Sequence, residues 1–307
     1  MTRDAAATGT TQGPSITDRQ LFVDLVRAIC DHPDFPIVGI TGGEPFVERW
    51  GLDKATSMLS DAGKSIVLYT SAIWASEPAA KLGWELSILR RTATVVLSSD
   101  AFHSRRVSAD TLRAAVHLVL DAGAHPVMQY LALPGAAPPV RFMEELLGSE
   151  WNQTADLKVI ELVNEGRAAK HGLWRERVTV PGEAVGSCHA VQPTVRYDGV
   201  ITKCCNANVM FGRGPDALRT TIQRGTDLRD ELDRIKSSGW LRYIAHNGLG
   251  PLTRHPHAEL LAQETYAPPC DLCWKLLERV DVDSEFTKVF VGLLPPATHT
   301  RGEAGAP

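Results

Sequence analysis

Four of the six cysteines in this 307-residue chain form two spaced pairs in its last 120 residues. Ten residues separate Cys188 from Gly199 and four more precede Cys204, whereas Cys270 and Cys273 stand in the sequence Cys-Asp-Leu-Cys. Four thiolates in two pairs can surround one metal centre, and both a tetrahedral zinc ion and an iron–sulfur cluster accept four cysteines. In a long chain, such clustering is more typical of metal binding than of disulfides. The spacing therefore predicts a metal site at these four cysteines.

The segment between the first two cysteines of this set predicts how they come together. Residues 193–203, PTVRYDGVITK, have the pattern of a β-hairpin with its turn at Asp198 and Gly199. A hairpin reverses the chain direction, so it returns Cys204 toward Cys188.

A second chemical signal is the sequence FPIVGITGGEPF at residues 35–46. A short apolar strand ends there in Gly42 and Gly43, followed by Glu44 and Pro45. A strand that ends in glycine lets another molecule approach its backbone, because no Cβ stands in the way. The alternative interpretation is a strand followed by a tight turn, but such a turn needs at most one glycine.

The elements around these residues alternate between strand and helix. A capping box at Thr17 and Gln20 predicts a helix through Ile29, and residues 76–78, Ser-Glu-Pro, are predicted to cap a later helix. Uniformly apolar strands that alternate with helices predict an α/β fold with a parallel sheet. The series begins with a helix, whereas a (β/α) barrel begins with a strand, so the predicted fold is a partial barrel without its first strand. The predicted strands are residues 37–41, 65–70, 94–98, 126–133 and 157–163.

Polar residues follow several of these strands. Functional groups of parallel barrels gather at the carboxyl ends of the strands. Here those ends hold the glycine motif, then Thr70 and Ser71, then Ser98, Ser99 and Asp100. Some polarity is expected wherever a strand end reaches water, but the double glycine with an acid predicts a binding site.

The sequence GITGGEPF resembles the GGEP motif of the radical S-adenosylmethionine (radical SAM) superfamily. The resemblance implies that residues 42–45 hold the amino group of the methionine moiety of S-adenosylmethionine. It also implies that Ser98 and Asp100, at the position of the fourth barrel strand, contact the ribose and the carboxylate. The implied domains are a disordered N-terminus at 1–14, a radical SAM-like partial barrel at 15–170, an auxiliary-cluster region at 180–290 and a disordered tail at 295–307.

The cysteine layout resembles the start of the SPASM and twitch extensions of radical SAM enzymes, which carry auxiliary [4Fe–4S] clusters. No cysteine follows Cys273, and this departure from the longer SPASM series favours the single-cluster twitch type. The resemblance implies that Cys188, Cys204, Cys270 and Cys273 hold an auxiliary [4Fe–4S] cluster, although the spacing alone allows zinc. Cys205 is either a ligand in place of Cys204 or a neighbour, and the spacing from Gly199 favours Cys204.

The chain departs from the superfamily pattern before the glycine motif. A CxxxCxxC loop after the first strand holds the cluster that cleaves S-adenosylmethionine in that superfamily, and this chain has no such sequence; Cys30 is its single cysteine before Gly42. A sequence that begins downstream of the true start would explain both the missing motif and the missing first strand. A second [4Fe–4S] cluster is then expected only if an upstream segment carries the motif. The alternatives are a catalytically inactive binding protein that lost the motif, or an unrelated α/β protein with a four-cysteine zinc site.

The resemblance implies an enzyme, in its full-length form, that generates a 5′-deoxyadenosyl radical and modifies a peptide or a small molecule, with an electron donor as partner. The net charge of −4 predicts neither a nucleic acid nor a membrane surface as partner. No apolar run has the length of a bilayer span, and the first residues lack the apolar segment of a secretory signal. The predicted location is the cytoplasm.

Overall fold

The chain forms two compact units. Unit 1 comprises Met1–Arg175, Val195–Val200 and Thr221–Arg229, and unit 2 comprises Glu176–Thr194, Ile201–Thr220 and Asp230–Pro307. The terminal segments predicted at 1–14 and 295–307 lie outside the described residues. The computed structural model describes residues 16–99, 106–132, 137–161, 179–188, 192–267 and 269–280.

A five-stranded parallel sheet forms the centre of unit 1. Its strands are β1 (Ile37–Ile40), β2 (Ser65–Thr70), β3 (Thr94–Ser99), β4 (His125–Ala132) and β5 (Asp156–Glu161). They lie side by side in chain order, and all four neighbouring pairs are parallel. This confirms the predicted α/β class with a parallel sheet. In the described part of the chain β1 and β5 are the edge strands, which is compatible with a partial barrel.

Five helices alternate with these strands and pack on the sheet. They are α1 (Arg19–Asp31), α2 (Arg49–Asp61), α3 (Gly83–Leu89), α4 (Ala109–Asp121) and α5 (Pro139–Leu147). Leu97 of β3 and Met128 of β4 are fully buried, together with Ile88, Val116 and Met143 from the helices. Burying each such side chain contributes about 1.5–3 kcal/mol to the free energy of folding, so this core fixes the strand ends described below.

The start of α1 differs from the prediction. Asp18 is the N-cap, and its carboxylate accepts a hydrogen bond from the backbone N–H of Leu21 at 2.9 Å. The predicted capping box at Thr17 and Gln20 is therefore wrong by one residue. The Gln20 amide instead donates to the carboxylate of Asp24, one turn along the helix, so it is not available to return to the N-terminus.

The predicted cap at residues 76–78 is also wrong. Ser76 ends a short 3₁₀ helix, Ile73–Ser76, and its hydroxyl donates to the carbonyl of Ile73 at 2.8 Å. The hydroxyl accepts no hydrogen bond from a downstream backbone N–H among the described residues, so it caps no helix there, and the element that follows is a short 3₁₀ helix, Ala79–Lys81. Helix α3 begins only at Gly83.

The strands that follow residue 179 have two or three residues each, and helices of 4 to 11 residues accompany them. They are β6 (Val180–Pro181), β7 (Thr194–Val195), β8 (Val200–Thr202), α6 (Ala207–Met210), β9 (Arg219–Thr221), α7 (Asp227–Ser237), α8 (Gly239–Asn247), β10 (Thr265–Tyr266) and α9 (Pro269–Arg279). Strands β6 and β10 pair in antiparallel fashion, and β7, β8 and β9 form a three-stranded sheet in that order. None of the helices among the described residues has both the length and the apolarity to cross a bilayer.

The hairpin predicted between Cys188 and Cys204 is confirmed. Its two strands are β7 and β8, and the backbone N–H of Arg196 donates to the carbonyl of Val200 at 2.8 Å across the turn. Gly199 has a φ of 82°, and a Cβ there would lie 2.2 Å from the carbonyl oxygen of Ile222. Both the positive φ and the close backbone require glycine at this turn.

Candidate functional site

Glu44 lies directly after β1, and its carboxylate contacts the end of the neighbouring strand β2. Oε1 accepts a hydrogen bond from Thr70 Oγ1 at 2.8 Å and a longer one from the backbone N–H of Phe46 at 3.3 Å. Oε2 accepts from the backbone N–H of Ser71 at 2.8 Å and from the Ser71 hydroxyl. Hydrogen bonds to a charged acceptor are among the strong ones. The carboxylate therefore joins the ends of two parallel strands.

Further hydrogen bonds fix Thr70, one of the residues through which Glu44 contacts β2. The Thr70 hydroxyl, in a residue that is 2% exposed, accepts from the backbone N–H of Ala72 and from Trp74 Nε1, each at 3.1 Å. Ala72 is fully buried and has a φ of 66° and a ψ of 9°. This left-handed conformation costs a non-glycine residue roughly 1–2 kcal/mol. Such a residue persists only where its surroundings fix it, so the turn after β2 is a tightly held support for Glu44.

Gly42 and Gly43 are the exposed part of the glycine motif, whereas Pro45 is buried and begins a 3₁₀ turn, Pro45–Val47. Neither of the two glycines has a positive φ, so the backbone conformation does not by itself require glycine there. What glycine provides is the missing Cβ, which lets a ligand approach the backbone. The anchored carboxylate and the exposed peptide groups thus have separate roles in the motif.

Ser98 lies at the same edge of the sheet. It pairs with Gln129 of β4 in the parallel register and is half-buried. Because parallel strands present their carboxyl ends at one edge, the structure brings the residues after β1, the end of β2 and the end of β3 to one side of unit 1. Asp100, the other residue predicted there, lies outside the described residues.

The four predicted metal ligands all belong to unit 2. Cys188 follows β6, and its backbone N–H donates to the carbonyl of Ile244 in α8 at 3.1 Å. Cys204 follows β8. Cys270 and Cys273 lie in the first turns of α9. The four side chains are half-buried, so they are shielded without being closed off from solvent.

The electrostatics of the thiols show that they lie near one another. The pKa of Cys204 is raised to about 11, chiefly by burial, with a hydrogen bond that lowers it and smaller increases from the negative charges of Cys270, Cys205 and Cys188. Burial also raises the pKa of Cys273, with added contributions from Cys270, Cys204 and Cys188. Four thiols from sequence positions up to 85 residues apart thus share one electrostatic environment. A cationic metal centre would reverse these shifts, since it binds the thiolate forms.

Two kinds of centre take four cysteine thiolates. A single tetrahedral zinc has Zn–S bonds of about 2.3 Å, so its four sulfurs lie about 3.8 Å apart. A [4Fe–4S] cluster takes one thiolate on each of four iron atoms. Four half-buried thiols that affect one another's charge form a donor set that fits either centre.

The two other cysteines have different surroundings. Cys205 is exposed, and it is not among the thiols whose charge affects Cys273. Cys30 lies in unit 1 on α1, where it packs against a core cluster that includes Val26 and Leu59. A packing position agrees with its interpretation as a small core residue.

Helix α9 is anchored by its apolar face and by an ionic group. Leu272 and Leu276 are fully buried. On the exposed side, Lys275 Nζ lies 2.5 Å from the Glu264 carboxylate, which also accepts from Tyr266 Oη at 2.9 Å. These contacts tie the helix that carries two of the cysteines to β10.

The polarity of Thr70 and Ser71 is evident in the sequence, but their hydrogen bonds to Glu44 are not, because Glu44 lies 26 and 27 residues away in the chain. Asn206 was not among the predicted residues. This residue caps α6, and its backbone N–H donates to the sulfur of Cys204. An asparagine placed two residues after a candidate ligand and before a short helix was the available signal.

Comparison with known proteins adds little to this geometry. No protein-family model matches the chain, and the search of curated proteins found no match. The chain is similar to the crystal structure of Streptococcus suis SuiB, with a TM-score of 0.39 and 13% identity over 75% of this chain. It spans 59% of the length of that protein. Because both the TM-score and the identity are low, no functional argument rests on the similarity. The described residues define a mixed α/β protein with a five-stranded parallel sheet.

Proposed function

We propose that this chain is a radical SAM-type protein with an auxiliary [4Fe–4S] cluster held by Cys188, Cys204, Cys270 and Cys273. The observation that supports it most is the gathering of these four thiols in unit 2, where Cys204 and Cys273 each interact electrostatically with the other members of the set. Thiols scattered through a core would have no reason to meet in this way. The choice of a cluster over a single zinc ion rests on the resemblance of the cysteine layout to the auxiliary-cluster extensions, since four thiolates suit either centre.

The proposed S-adenosylmethionine site is the carboxyl edge of the parallel sheet. There the exposed peptide groups of Gly42 and Gly43 would accept hydrogen bonds from the ligand's amino group, while Glu44 holds their loop against β2. Ser98 and Asp100 are the proposed contacts to the ribose and the carboxylate. A ligand at the carboxyl ends of parallel strands follows the general rule for α/β sheets.

The cluster, when bound to all four cysteines, would supply an electron acceptor. The half-buried cysteines of unit 2 would hold the cluster, shield it, and leave it accessible to a peptide or small-molecule substrate. Cys30 is the single cysteine in unit 1, so the residues present do not fit the separate cluster that cleaves S-adenosylmethionine. No radical step is assigned to them; that step belongs to a protein that also carries a CxxxCxxC segment.

Metal analysis after anaerobic reconstitution tests the cluster. We expect about four iron and four sulfide per chain and the absorption and EPR spectra of a [4Fe–4S] cluster. Serine at Cys188, Cys204, Cys270 or Cys273 should lower the iron content, whereas C205S, with its exposed side chain, should leave it unchanged. Zinc bound without iron or sulfide would instead support a structural four-cysteine zinc site.

Calorimetric titration with S-adenosylmethionine tests the second site. Valine at Gly43 places a side chain where the ligand must approach, so G43V should weaken binding at least tenfold. Valine at Gly83 is the matched control, because nothing lies within 4 Å of a Cβ there. Equal binding by both variants would contradict the proposed site. Binding without any 5′-deoxyadenosine from a chain that does include CxxxCxxC would favour a non-catalytic binding protein.

A further inference from the structure

The acceptor positions of the Glu44 carboxylate are filled by donors from the chain itself. An ionised carboxylate accepts about four hydrogen bonds, two on each oxygen. Oε1 accepts from the Thr70 hydroxyl at 2.8 Å and from the backbone N–H of Phe46 at 3.3 Å, whereas Oε2 accepts from the backbone N–H and the hydroxyl of Ser71. The carboxylate therefore has no position left for a direct hydrogen bond from a ligand, and its negative charge acts through its neighbours.

The hydroxyl of Thr70 has no hydrogen-bonding capacity left either. A hydroxyl has one hydrogen and two acceptor lone pairs. The Thr70 hydroxyl donates to Glu44 and accepts from the backbone N–H of Ala72 and from Trp74 Nε1, each at 3.1 Å. Because Thr70 is also buried, it supports Glu44 and does not meet a ligand.

Ser71 differs from Thr70 in both respects. It is half-buried, and its hydroxyl hydrogen is committed to Oε2 of Glu44. Within the described ranges no N–H or O–H group donates to its oxygen, so its lone pairs remain available. Hydrogen bonds in a chain polarise one another, and an O–H that donates to a carboxylate leaves its oxygen more negative. Toward a ligand, the Ser71 oxygen is therefore an acceptor only, and a strengthened one.

The surroundings of this oxygen favour a positively charged donor. Ser71 contacts Glu44, which directly follows the exposed Gly43, so the serine oxygen and the carbonyl groups of the glycine loop lie at one edge of the sheet. An ammonium group has three N–H donors and no acceptor, and the charge of Glu44 attracts it. A ligand carboxylate has no hydrogen to donate to Ser71, and the same charge repels it. This part of the edge is thus suited to an amino group.

We propose that Ser71 is a ligand-binding residue whose Oγ accepts a hydrogen bond from the protonated amino group of S-adenosylmethionine. The inference rests on the proposed function for the identity of the ligand. It goes beyond that function by giving the amino group a side-chain acceptor at the end of β2, and by assigning Glu44 a part in binding that involves its charge but no direct contact.

Calorimetric titration of the full chain with three ligands tests the assignment. They are S-adenosylmethionine, its decarboxylated form, which keeps the amino group, and the S-propyl sulfonium analogue, which has neither the amino group nor the carboxylate. We expect S71A to bind the first two about tenfold more weakly than wild type, as for a lost hydrogen bond to a charged group, and to bind the S-propyl analogue within about twofold. S76A is the matched control, because the exposed Ser76 hydroxyl donates to the carbonyl of Ile73 in its own turn; it should bind all three ligands like wild type.

The other patterns of binding overturn the inference. Equal weakening of all three ligands in S71A would show that Ser71 only supports the loop, and weakening of S-adenosylmethionine alone would put the serine beside the carboxylate. Unchanged binding by S71A would also overturn it, and the proposed site would stand if G43V still binds more weakly than G83V. A wild-type chain that binds the decarboxylated ligand no more tightly than the S-propyl analogue would overturn it even if S71A does not fold. Failure of the wild-type chain to bind S-adenosylmethionine would refute the proposed site, and this inference with it.

Discussion

Replacing Glu44 with glutamine tests the carboxylate that joins the ends of β1 and β2. Glutamine keeps the shape of the side chain and one acceptor oxygen, but its NH₂ group accepts no hydrogen bond. The two donors of Ser71 meet Oε2 in the native protein. In E44Q the hydroxyl of Ser71 can rotate to a new partner, whereas its backbone N–H is left facing another donor.

The size of the effect follows from the contacts that are lost. A hydrogen bond to a charged group contributes about 1.5–3 kcal/mol net, and E44Q removes the charge and one backbone contact while it preserves those of Thr70 and Phe46. We discount the sum because Glu44 is only half-buried, and expect a loss of about 2 kcal/mol in the free energy of unfolding of unit 1. For a folding unit of this size, that loss lowers Tm by about 4–8 °C.

Thermal and urea unfolding of the metal-free chain measure this loss, with circular dichroism as the signal. The control is E77Q, because Glu77 is 60% exposed and its nearest cation, Lys81, lies 3.9 Å away; exposed pairs contribute about 0–1 kcal/mol. If E44Q and E77Q unfold at the same temperature and the same urea concentration, the Glu44 carboxylate does not hold the motif, and the reasoning about the strand ends is wrong.

Three further predictions concern other parts of the molecule. T70V removes the hydroxyl that accepts hydrogen bonds from the backbone N–H of Ala72 and from Trp74 Nε1, and so leaves both donors without an acceptor. The Thr92 hydroxyl only donates to one backbone carbonyl. T70V should therefore lower the free energy of unfolding by about 2 kcal/mol more than T92V. G214A should destabilise the fold more than G63A: both glycines have a positive φ, but only at Gly214 does a Cβ meet a tryptophan ring, at 2.8 Å. In the metal-free protein, the raised pKa of Cys204, about 11 instead of 9.0, means that the folded state binds this proton more tightly than the unfolded state. The resulting stability is fully present below pH 9 and is lost as the pH rises toward 11.

Each of these predictions has an outcome that contradicts it. Equal unfolding midpoints for T70V and T92V would show that the buried hydroxyl is not needed by its donors. A G214A protein as stable as G63A would mean that the tryptophan ring moves aside at no cost. For the thiol, the comparison is with C204S over pH 8–11: a wild-type chain whose urea midpoint falls no more steeply than that of C204S would refute the assigned cause.

The strands were predictable because their signal is local. Residues 65–70 were predicted and observed with the same bounds, and β3 differs by one residue. A run of apolar residues between polar turns can be recognised without knowledge of the rest of the chain, and its alternation with helices implies a parallel sheet. The helix caps were less predictable, because Asp18 and Thr17 compete for the same role and a single contact decides between them.

The contacts of the two candidate sites were beyond the reach of local patterns. Spacing indicated that four cysteines belong together, but not that Cys204 shares their environment while Cys205 is exposed. That difference depends on the turn between β8 and α6, where one side chain points to the other cysteines and the next points to solvent.

The sequence by itself determined which residues have the chemistry for a site: the glycines and the acid of one motif, the thiols of the other, and the alternating elements that carry them. Only the tertiary structure decided what each group does there. The carboxylate oxygens of Glu44 accept hydrogen bonds from Thr70 and Ser71 because the parallel register brings the end of β2 beside it. Leu272 and Leu276 bury one face of α9 and so fix the position of the last two cysteines. The sequence specifies the chemical type of each residue. The distance between residues that are remote in the chain is set by packing, which depends on the whole core at once.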